Sequence, residues 1–307
     1  MNIGLCMVVK NEESNIEACL SNIADLFSQI VIIDTGSTDQ TCELLKTIFA
    51  IKPIKAKLTA SSCFALSIVR NRGFDLLNTP WILSLDADER IARSDLIKIL
   101  SLNDSDLPAG LFCSWLTDNG RGELIDDYKL FLFRKGYYMQ GLVHENIQSH
   151  MRMIGGVAVW TDLLQIKHYP NTNRITDKEI WYNKRLECAR RQEPAWLRYH
   201  WFSAYAYCRQ GLHKKSNLLL WKIHHERPLL FPVESLNASM ILANILIRTG
   251  ELPKAKGVLT DTIGFYQKVS NDFEVKVNFR LYPYLKQALE NIDNNVLDNS
   301  KPYTFPY

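Results

Sequence analysis

The stretch Ile3-Gly4-Leu5-Cys6-Met7-Val8-Val9 is a nearly continuous apolar run, which predicts a strand buried on both faces. Lys10-Asn11-Glu12-Glu13-Ser14-Asn15 breaks this run. A helix is predicted next, because four apolar residues share one face at Ile16, Cys19, Leu20 and Ile23. A second buried strand, Gln29 to Ile33, and a second helix follow. The order strand, helix, strand, helix predicts right-handed βαβ units and a parallel sheet, hence an α/β fold.

A second decisive stretch is Trp81-Ile82-Leu83-Ser84-Leu85-Asp86-Ala87-Asp88-Glu89, which predicts a short buried strand that ends on carboxylates. Ligand crevices of α/β sheets lie at the carboxyl ends of the strands. Asp86 and Asp88, two residues apart in a turn, can converge on one hard cation such as Mg²⁺ or Mn²⁺. The alternative is that both are turn and N-cap residues for a helix at Arg93 to Leu100.

Composition excludes several classes of protein. The net charge of +3 is too small to indicate nucleic-acid binding or a membrane surface. The longest weakly polar runs, Ile48 to Ile54 and Ala60 to Val69, are too short to cross a bilayer. The first residues lack the basic and apolar regions of a signal peptide, so a cytoplasmic protein is expected. The seven cysteines form no Cys-x-x-Cys pair, which argues against a zinc site.

Common phosphate-binding motifs are missing from the sequence. Neither Gly-x-Gly-x-x-Gly after the first strand nor Gly-x-x-x-x-Gly-Lys-Ser/Thr occurs. A phosphate-bearing ligand would therefore need a metal ion and basic side chains to meet its charge. Arg70 and Arg72 are candidates for that role, and a solvated helix face is the equally weighted alternative for each.

Four polar motifs follow one another in the first ninety residues. In chain order they are Val8-Val9-Lys10-Asn11-Glu12-Glu13, Ile33-Asp34-Thr35-Gly36-Ser37-Thr38-Asp39-Gln40-Thr41, Val69-Arg70-Asn71-Arg72-Gly73 and Leu85-Asp86-Ala87-Asp88-Glu89. Together they resemble family 2 glycosyltransferases of the GT-A fold. The chain departs from many members at Thr35, where they have a second Asp. We interpret this as the mark of a subgroup.

The resemblance implies a site for a nucleoside-diphosphate sugar. The end of the first strand and Asp34 are expected to contact the nucleoside, and Asp-x-Asp to hold the metal on the diphosphate. The implied donor-binding residues are Val8, Lys10, Asn11, Glu12, Asp34, Arg70, Asp86 and Ala87. Asp39 is interpreted as a loop-stabilising or N-cap residue rather than a ligand contact.

Two further residues receive roles from the resemblance. Glu145, in Gly141-Leu142-Val143-His144-Glu145-Asn146-Ile147, lies where the family has its catalytic base; a surface carboxylate is the alternative. His168 lies where relatives have a His-Tyr, which predicts a third metal ligand beside Asp86 and Asp88. Imidazole suits Mn²⁺ better than Mg²⁺. A structural histidine is the alternative for His168.

The C-terminal half is predicted to be all helical. We expect a catalytic domain at residues 1–174, a helical region at 175–292 and a flexible tail at 293–307. Two segments, Ala204 to Leu220 and Ala243 to Leu259, match at an offset of 39 residues and resemble tetratricopeptide units. The tryptophans of this half are expected in its core rather than as sugar-stacking platforms: Trp181, Trp196, Trp201 and Trp221.

The resulting hypothesis is an inverting, metal-dependent glycosyltransferase that uses a UDP-sugar. One carboxylate base with no separate nucleophile implies single displacement with inversion, as does the resemblance. A glycoside hydrolase is disfavoured, because it needs paired carboxylates and no diphosphate site. The helical repeats favour a protein or peptide acceptor. Alternatives are a cell-envelope saccharide or lipid-linked glycan, with the repeats serving packing or dimerisation, and a non-catalytic adaptor with a decayed transferase domain.

Overall fold

The computed structural model describes residues 1–118, 123–170, 175–278 and 281–294. The chain divides into two compact units, Met1–Ile180 and Trp181–Tyr307. Within the described residues, no helix combines the length and the apolar character needed to cross a membrane.

The first unit is a sheet domain with eight strands. They are β1 (Ile3–Val9), β2 (Gln29–Asp34), β3 (Ile54–Lys55), β4 (Trp81–Ser84), β5 (Glu89–Ile91), β6 (Gly110–Asp118), β7 (Leu124–Arg134) and β8 (Ala158–His168). Among the described residues of this unit, five complete helices accompany them: α1 (Ile16–Leu20), α2 (Thr41–Phe49), α3 (Leu66–Leu76), α4 (Arg93–Leu100) and α5 (Gln148–Met153). Three short 3-10 turns lie at Ala24–Leu26, Ala60–Ser62 and Asp104–Asp106.

The strands form one mixed sheet in the order β3-β2-β1-β4-β7-β6-β8-β5. The first four in this order are parallel, as predicted for the first strands, whereas β7 runs antiparallel to β4 and β6. The register aligns Val9 with Asp34 and Asp34 with Lys55. The ends of three parallel strands therefore meet at one level of the sheet, where an α/β crevice is expected.

The strand β5 was not predicted, and its position shows that the sheet curls. Only a four-residue turn separates β4 from β5, closed by a bond from the Glu89 amide to the Asp86 carbonyl. In a flat sheet, four strand spacings would set β5 about 19 Å from β4, whereas five extended residues reach at most about 18 Å. The sheet therefore wraps around the Asp86-Ala87-Asp88 turn.

The helix α3 lies close against the parallel strands. A Cβ atom at Gly73 would lie 2.5 Å from Cys6 Sγ and 3.3 Å from Ile33 Cδ1. Any larger side chain would therefore push α3 away from β1 and β2. This close packing sets the position of Arg70 and Asn71, one turn earlier on the same helix.

The second unit is helical. Its helices are α6 (Ile175–Gln192), which begins in the first unit, α7 (Arg198–Arg209), α8 (His213–Glu226), α9 (Pro232–Arg248), α10 (Leu252–Val269), α11 (Phe273–Val277) and α12 (Leu281–Asn294). No strand occurs among its described residues, as predicted. The pairs α7–α8 and α9–α10 turn at Gly211 (φ 73°) and Gly250 (φ 78°). Both glycines are in the left-handed region, where residues with a Cβ are strained.

Candidate functional site

Two loops at the carboxyl edge of the sheet are joined to each other by hydrogen bonds. The first loop is residues 10–15 after β1, and the second loop is residues 35–40 after β2. Asn11, at φ 57°, accepts from the Thr38 amide at 2.8 Å, and its own amide donates to Ser37 Oγ at 2.9 Å. Asp39 accepts from the Glu13 amide at 3.1 Å and from Thr41. The interpretation of Asp39 as a loop-stabilising residue is confirmed.

Asp34 lies at the base of the second loop and is completely buried. Its carboxylate accepts from the Ser37 amide at 2.9 Å, the Gly36 amide at 3.2 Å and Lys55 Nζ at 2.7 Å. Burial alone would raise the pKa of Asp34, but the hydrogen bonds from Lys55 and Ser37 outweigh it and lower the pKa to about 2. Asp34 therefore shapes the loop and holds Lys55, whose side chain is exposed.

The Asp86-Ala87-Asp88 turn is stabilised by hydrogen bonds to the charged side chains of Glu89 and Arg90. Glu89, 1% exposed, accepts from the Asp86 amide at 2.8 Å and from Trp115 Nε1 at 3.0 Å. Arg90 donates to the Ala87 carbonyl at 2.6 Å. Burial raises the pKa of Glu89, and the neighbouring Asp86 carboxylate adds to this effect. The turn is thus fixed from both sides before any ligand binds.

Two cations hold the Asp86 carboxylate. Oδ1 accepts from Arg70 Nη2 at 2.6 Å, and Oδ2 from Lys129 Nζ at 3.4 Å. Lys129 also donates to Glu89 Oε1 at 2.8 Å. Burial would raise the pKa of Asp86, but Arg70 and then Lys129 overcome it and hold that pKa well below its usual range. Asp86 is therefore ionised and fully engaged by its two partners.

Arg70 joins the Asp86 turn to the segment that carries Glu145. Its Nε donates to Glu145 Oε1 at 3.3 Å, and its side chain is only 11% exposed. The next residue on α3, Asn71, exchanges two hydrogen bonds with the backbone of Met139, at 2.8 and 3.0 Å. Adjacent residues of one helix therefore position both the candidate base and the segment leading to it.

The structure brings together two of the three predicted metal ligands. Asp88 Oδ2 lies 3.4 Å from His168 Nε2, because β5 and β8 pair with Glu89 opposite His168. The other ring nitrogen of His168 contacts Thr117 Oγ1 at 3.2 Å, and the ring stacks on Trp115. A carboxylate oxygen and an imidazole nitrogen fit Mn²⁺, and the Thr117 contact would orient the imidazole.

Asp86 does not join Asp88 and His168 in this arrangement. Across the described ranges, no group of three or more His, Cys, Asp or Glu side chains is arranged to hold a metal ion. The carboxylate of Asp86 is held by Arg70 and Lys129 instead. A divalent ion would thus find two fitting protein ligands here, Asp88 and His168, while Asp86 is paired with Arg70 and Lys129.

The remaining predicted donor-binding residues lie around the same edge of the sheet. Val8 is near the end of β1 and half-buried, and Lys10 is exposed just after it. The Glu12 amide donates to Thr41 Oγ1 at 2.7 Å, which links the first loop to α2. Ala87 is 3% exposed within the turn. Unlike buried Arg70, Arg72 is exposed on α3, as its alternative interpretation stated.

Sequence reasoning missed Lys129 and Trp115. Both lie on long strands whose residues pair across the sheet, Trp115 with Asp127 and Cys113 with Lys129. The signal for Lys129 was its place in Tyr128-Lys129-Leu130-Phe131, where a lysine shares a strand face with Phe131. Its Nζ lies 4.3 Å from the centre of the Phe131 ring. A lysine next to buried aromatic residues on a strand indicates a nearby buried carboxylate, here Glu89.

Comparisons with known proteins find relatives among curated sequences, solved structures and family models. SPbeta prophage-derived glycosyltransferase SunS of Bacillus subtilis (strain 168) is 30% identical over 93 residues, which are 30% of this chain and 21% of that protein. A TPR repeat-containing protein of Synechococcus elongatus is 30% identical over 89 residues, 29% of this chain and 21% of its own. The chain thus spans about a fifth of the length of the curated relatives that it matches first.

A similar solved structure is residues 1–349 of TarS from S. aureus, obtained with UDP and with UDP-GlcNAc. It has a TM-score of 0.47 and 15% identity, with 91% of this chain and 93% of that chain covered. The model of the family described as glycosyl transferase family 2 matches residues 5–165, which is 161 of the 307 residues. The match covers more than half of the chain and all four motifs, so the protein belongs to glycosyl transferase family 2.

Proposed function

We propose that this protein is an inverting, metal-dependent glycosyltransferase that moves a sugar from a nucleoside diphosphate to a protein or peptide acceptor. The observation that carries this proposal is the link from Asp86 through Arg70 to Glu145. Arg70 contacts both the Asp86 carboxylate of the turn and Glu145, a carboxylate suited to deprotonating an acceptor, and as a cation it would also face the diphosphate. Family membership supports the same reaction class.

The donor would bind at the carboxyl edge of β1, β2 and β4. The two joined loops supply a preformed wall there, and Lys55 is an exposed cation fixed by Asp34. Arg70 and Lys129 lie beside the Asp86 turn and would meet the negative charge of a diphosphate. Uridine is the nucleoside that we propose to test first.

Departure of the nucleoside diphosphate leaves extra negative charge on its oxygens, which the site must offset. Asp88 and His168 are the protein ligands that fit Mn²⁺ or Mg²⁺, with Asp86 as the proposed third ligand. When bound, such an ion would supply a Lewis acid for the leaving diphosphate. Arg70 and Lys129 add two fixed positive charges nearby. The ion and these two side chains would all strengthen binding of the leaving group.

Glu145 is the proposed general base. In a single displacement, the acceptor oxygen forms a bond to the anomeric carbon while the bond from that carbon to the diphosphate breaks. The acceptor proton passes to the Glu145 carboxylate, and the diphosphate leaves with the bonding electron pair. Attack on the face opposite the leaving group inverts the anomeric centre. Arg70 would hold Glu145 in position through the 3.3 Å contact.

A polypeptide is the proposed acceptor, because the two helix–turn–helix pairs of the second unit resemble repeats that bind polypeptides. A saccharide or lipid-linked acceptor would be revealed by transfer to glycans but not to peptides. This assay separates the two classes directly, since donor and enzyme stay the same in both arms.

The proposal is tested with the full chain and a panel of nucleotide sugars. We expect hydrolysis of at least one donor that chelator stops and Mn²⁺ restores. Glu145→Gln should keep donor affinity and lose about 10²- to 10⁴-fold in turnover. Asp88→Asn should lose the response to Mn²⁺, whereas Asp95→Asn on the surface of α4 is the matched control. Neither binding nor hydrolysis of any nucleotide sugar would contradict the proposal.

A further inference from the structure

The Asp86 carboxylate lies in a cluster of five charged side chains with three negative and two positive charges. Each of its oxygens has a cationic partner, Arg70 at 2.6 Å and Lys129 at 3.4 Å. Lys129 is shared with the buried Glu89 at 2.8 Å, and Arg70 with Glu145 at 3.3 Å. The cations are therefore the central members of this cluster.

This arrangement disfavours a free divalent ion at Asp86. Such an ion would approach two positive charges that already lie within 3.4 Å of the carboxylate oxygens. Like charges a few ångströms apart repel strongly where burial limits screening by water, and the Arg70 side chain is only 11% exposed. A nucleoside diphosphate changes the balance, since its oxygens can replace Asp86 as the partner of both cations.

We propose that Lys129 is a positioning residue that makes metal binding at Asp86 depend on the nucleoside diphosphate. Without the nucleotide, Lys129 and Arg70 keep Asp86 from the ion. With it, Lys129 turns to the diphosphate, and Asp86 joins Asp88 and His168. The two ligands then bind with positive coupling, and each raises the affinity of the other by the same factor. This inference rests on the proposed function.

Lys129 is better suited than Arg70 to test this coupling. Arg70 also contacts Glu145, so its replacement would change the proposed base as well. Among the described residues, the carboxylates paired with Lys129 are Asp86 in the turn and Glu89 directly after it. The side chain is 32% exposed and lies over the Phe131 ring, so methionine fits the same place without the charge.

The test measures Mn²⁺ binding by electron paramagnetic resonance of the free ion, with and without UDP. We expect UDP to raise the Mn²⁺ affinity of the wild type by about 10²-fold, near the upper end of usual couplings. Lys129→Met should bind Mn²⁺ about 10-fold more tightly without UDP, and its coupling should fall by a similar factor. Lys129→Arg should restore the coupling. Lys98→Met, which removes a surface partner of Asp95, is the matched control.

Removal of Lys129 leaves Glu89 buried beside a neutral side chain, so the single variant could fail to fold. The double variant Lys129→Met with Glu89→Gln removes that buried charge and should show the same loss of coupling. Equal coupling in the wild type and in a folded variant would overturn the inference and leave the proposed function intact. Failure of the wild type to bind UDP with Mn²⁺ would overturn both.

Discussion

Replacing Asp34 by asparagine tests how far the buried carboxylate supports the nucleotide-binding edge. Asparagine keeps the size and one carbonyl oxygen, but its amide nitrogen would face the Gly36 amide and Lys55 Nζ, which both donate to the present carboxylate. The Gly36 amide and Lys55 Nζ would then face a side-chain NH₂ group, which is itself a hydrogen-bond donor and cannot accept from them. We expect the second loop, residues 35–40, to lose its attachment at the base.

The size of the effect follows from the pKa of Asp34, which is about 2 in the fold against an ordinary value of 3.8. A depressed pKa means stability that is present above about pH 4 and lost as the pH falls through about 2. A difference of nearly two units corresponds to about 2.5 kcal/mol at pH 7. The Asp34 side chain is buried, but its partner Lys55 is 65% exposed, so water screens part of the interaction and this figure is an upper value.

Urea unfolding at pH 7 measures this quantity, and calorimetry with UDP measures the consequence for the site. Asp34→Asn should lower the free energy of unfolding by at most about 2.5 kcal/mol and weaken UDP binding. Lys55→Met is the matched comparison, because it removes only the exposed partner and leaves both amide bonds. A loss below about 0.5 kcal/mol with unchanged UDP affinity would refute the reasoning, since surface substitutions alone reach that size.

Three further predictions concern other parts of the chain. Asn71→Ala should lower turnover more than donor affinity in steady-state kinetics, because it frees the segment before Glu145. Gly211→Val should lower the melting temperature, whereas Gly257→Ala, with open space around it, should raise it. Burial lowers the pKa of His224 from 6.5 to about 4, so the stability that it confers is complete above pH 6.5 and is lost as the pH falls toward 4. His224→Gln should weaken this acid dependence in urea titrations, and exposed His225→Gln should not.

The first two strand–helix pairs and β4 could be predicted because each is a contiguous run with a clear apolar pattern. Asp39 could be placed as a loop-stabilising residue just before α2, because its bonds to Thr41 span only two residues. The three-residue strand Glu89–Ile91 could not, because it is short and begins with a charged residue that is nevertheless buried. Periodicity gives no signal at that length.

The partners of Asp86 could not be predicted either, for a different physical reason. Arg70 and Lys129 are 16 and 43 residues away along the chain, and only the packing of α3 and the curl of the sheet bring them to it. The resemblance implied that Asp86 binds a metal ion and that Arg70 binds the phosphate-bearing donor. It did not indicate that Asp86 and Arg70 form an ion pair with each other when no ligand is bound. Such pairing is a property of the folded charge distribution.

The hydrogen bonds between the first and second loops have a consequence for exchanging parts between relatives. The Thr38 backbone amide donates to the Asn11 side chain, and the Glu13 backbone amide to the Asp39 side chain, so each loop supplies the acceptor for the other. A chimera that imports one loop would therefore leave the other with unmatched backbone donors. To alter nucleotide preference by grafting, residues 10–15 and 35–40 should be transferred together from the same relative.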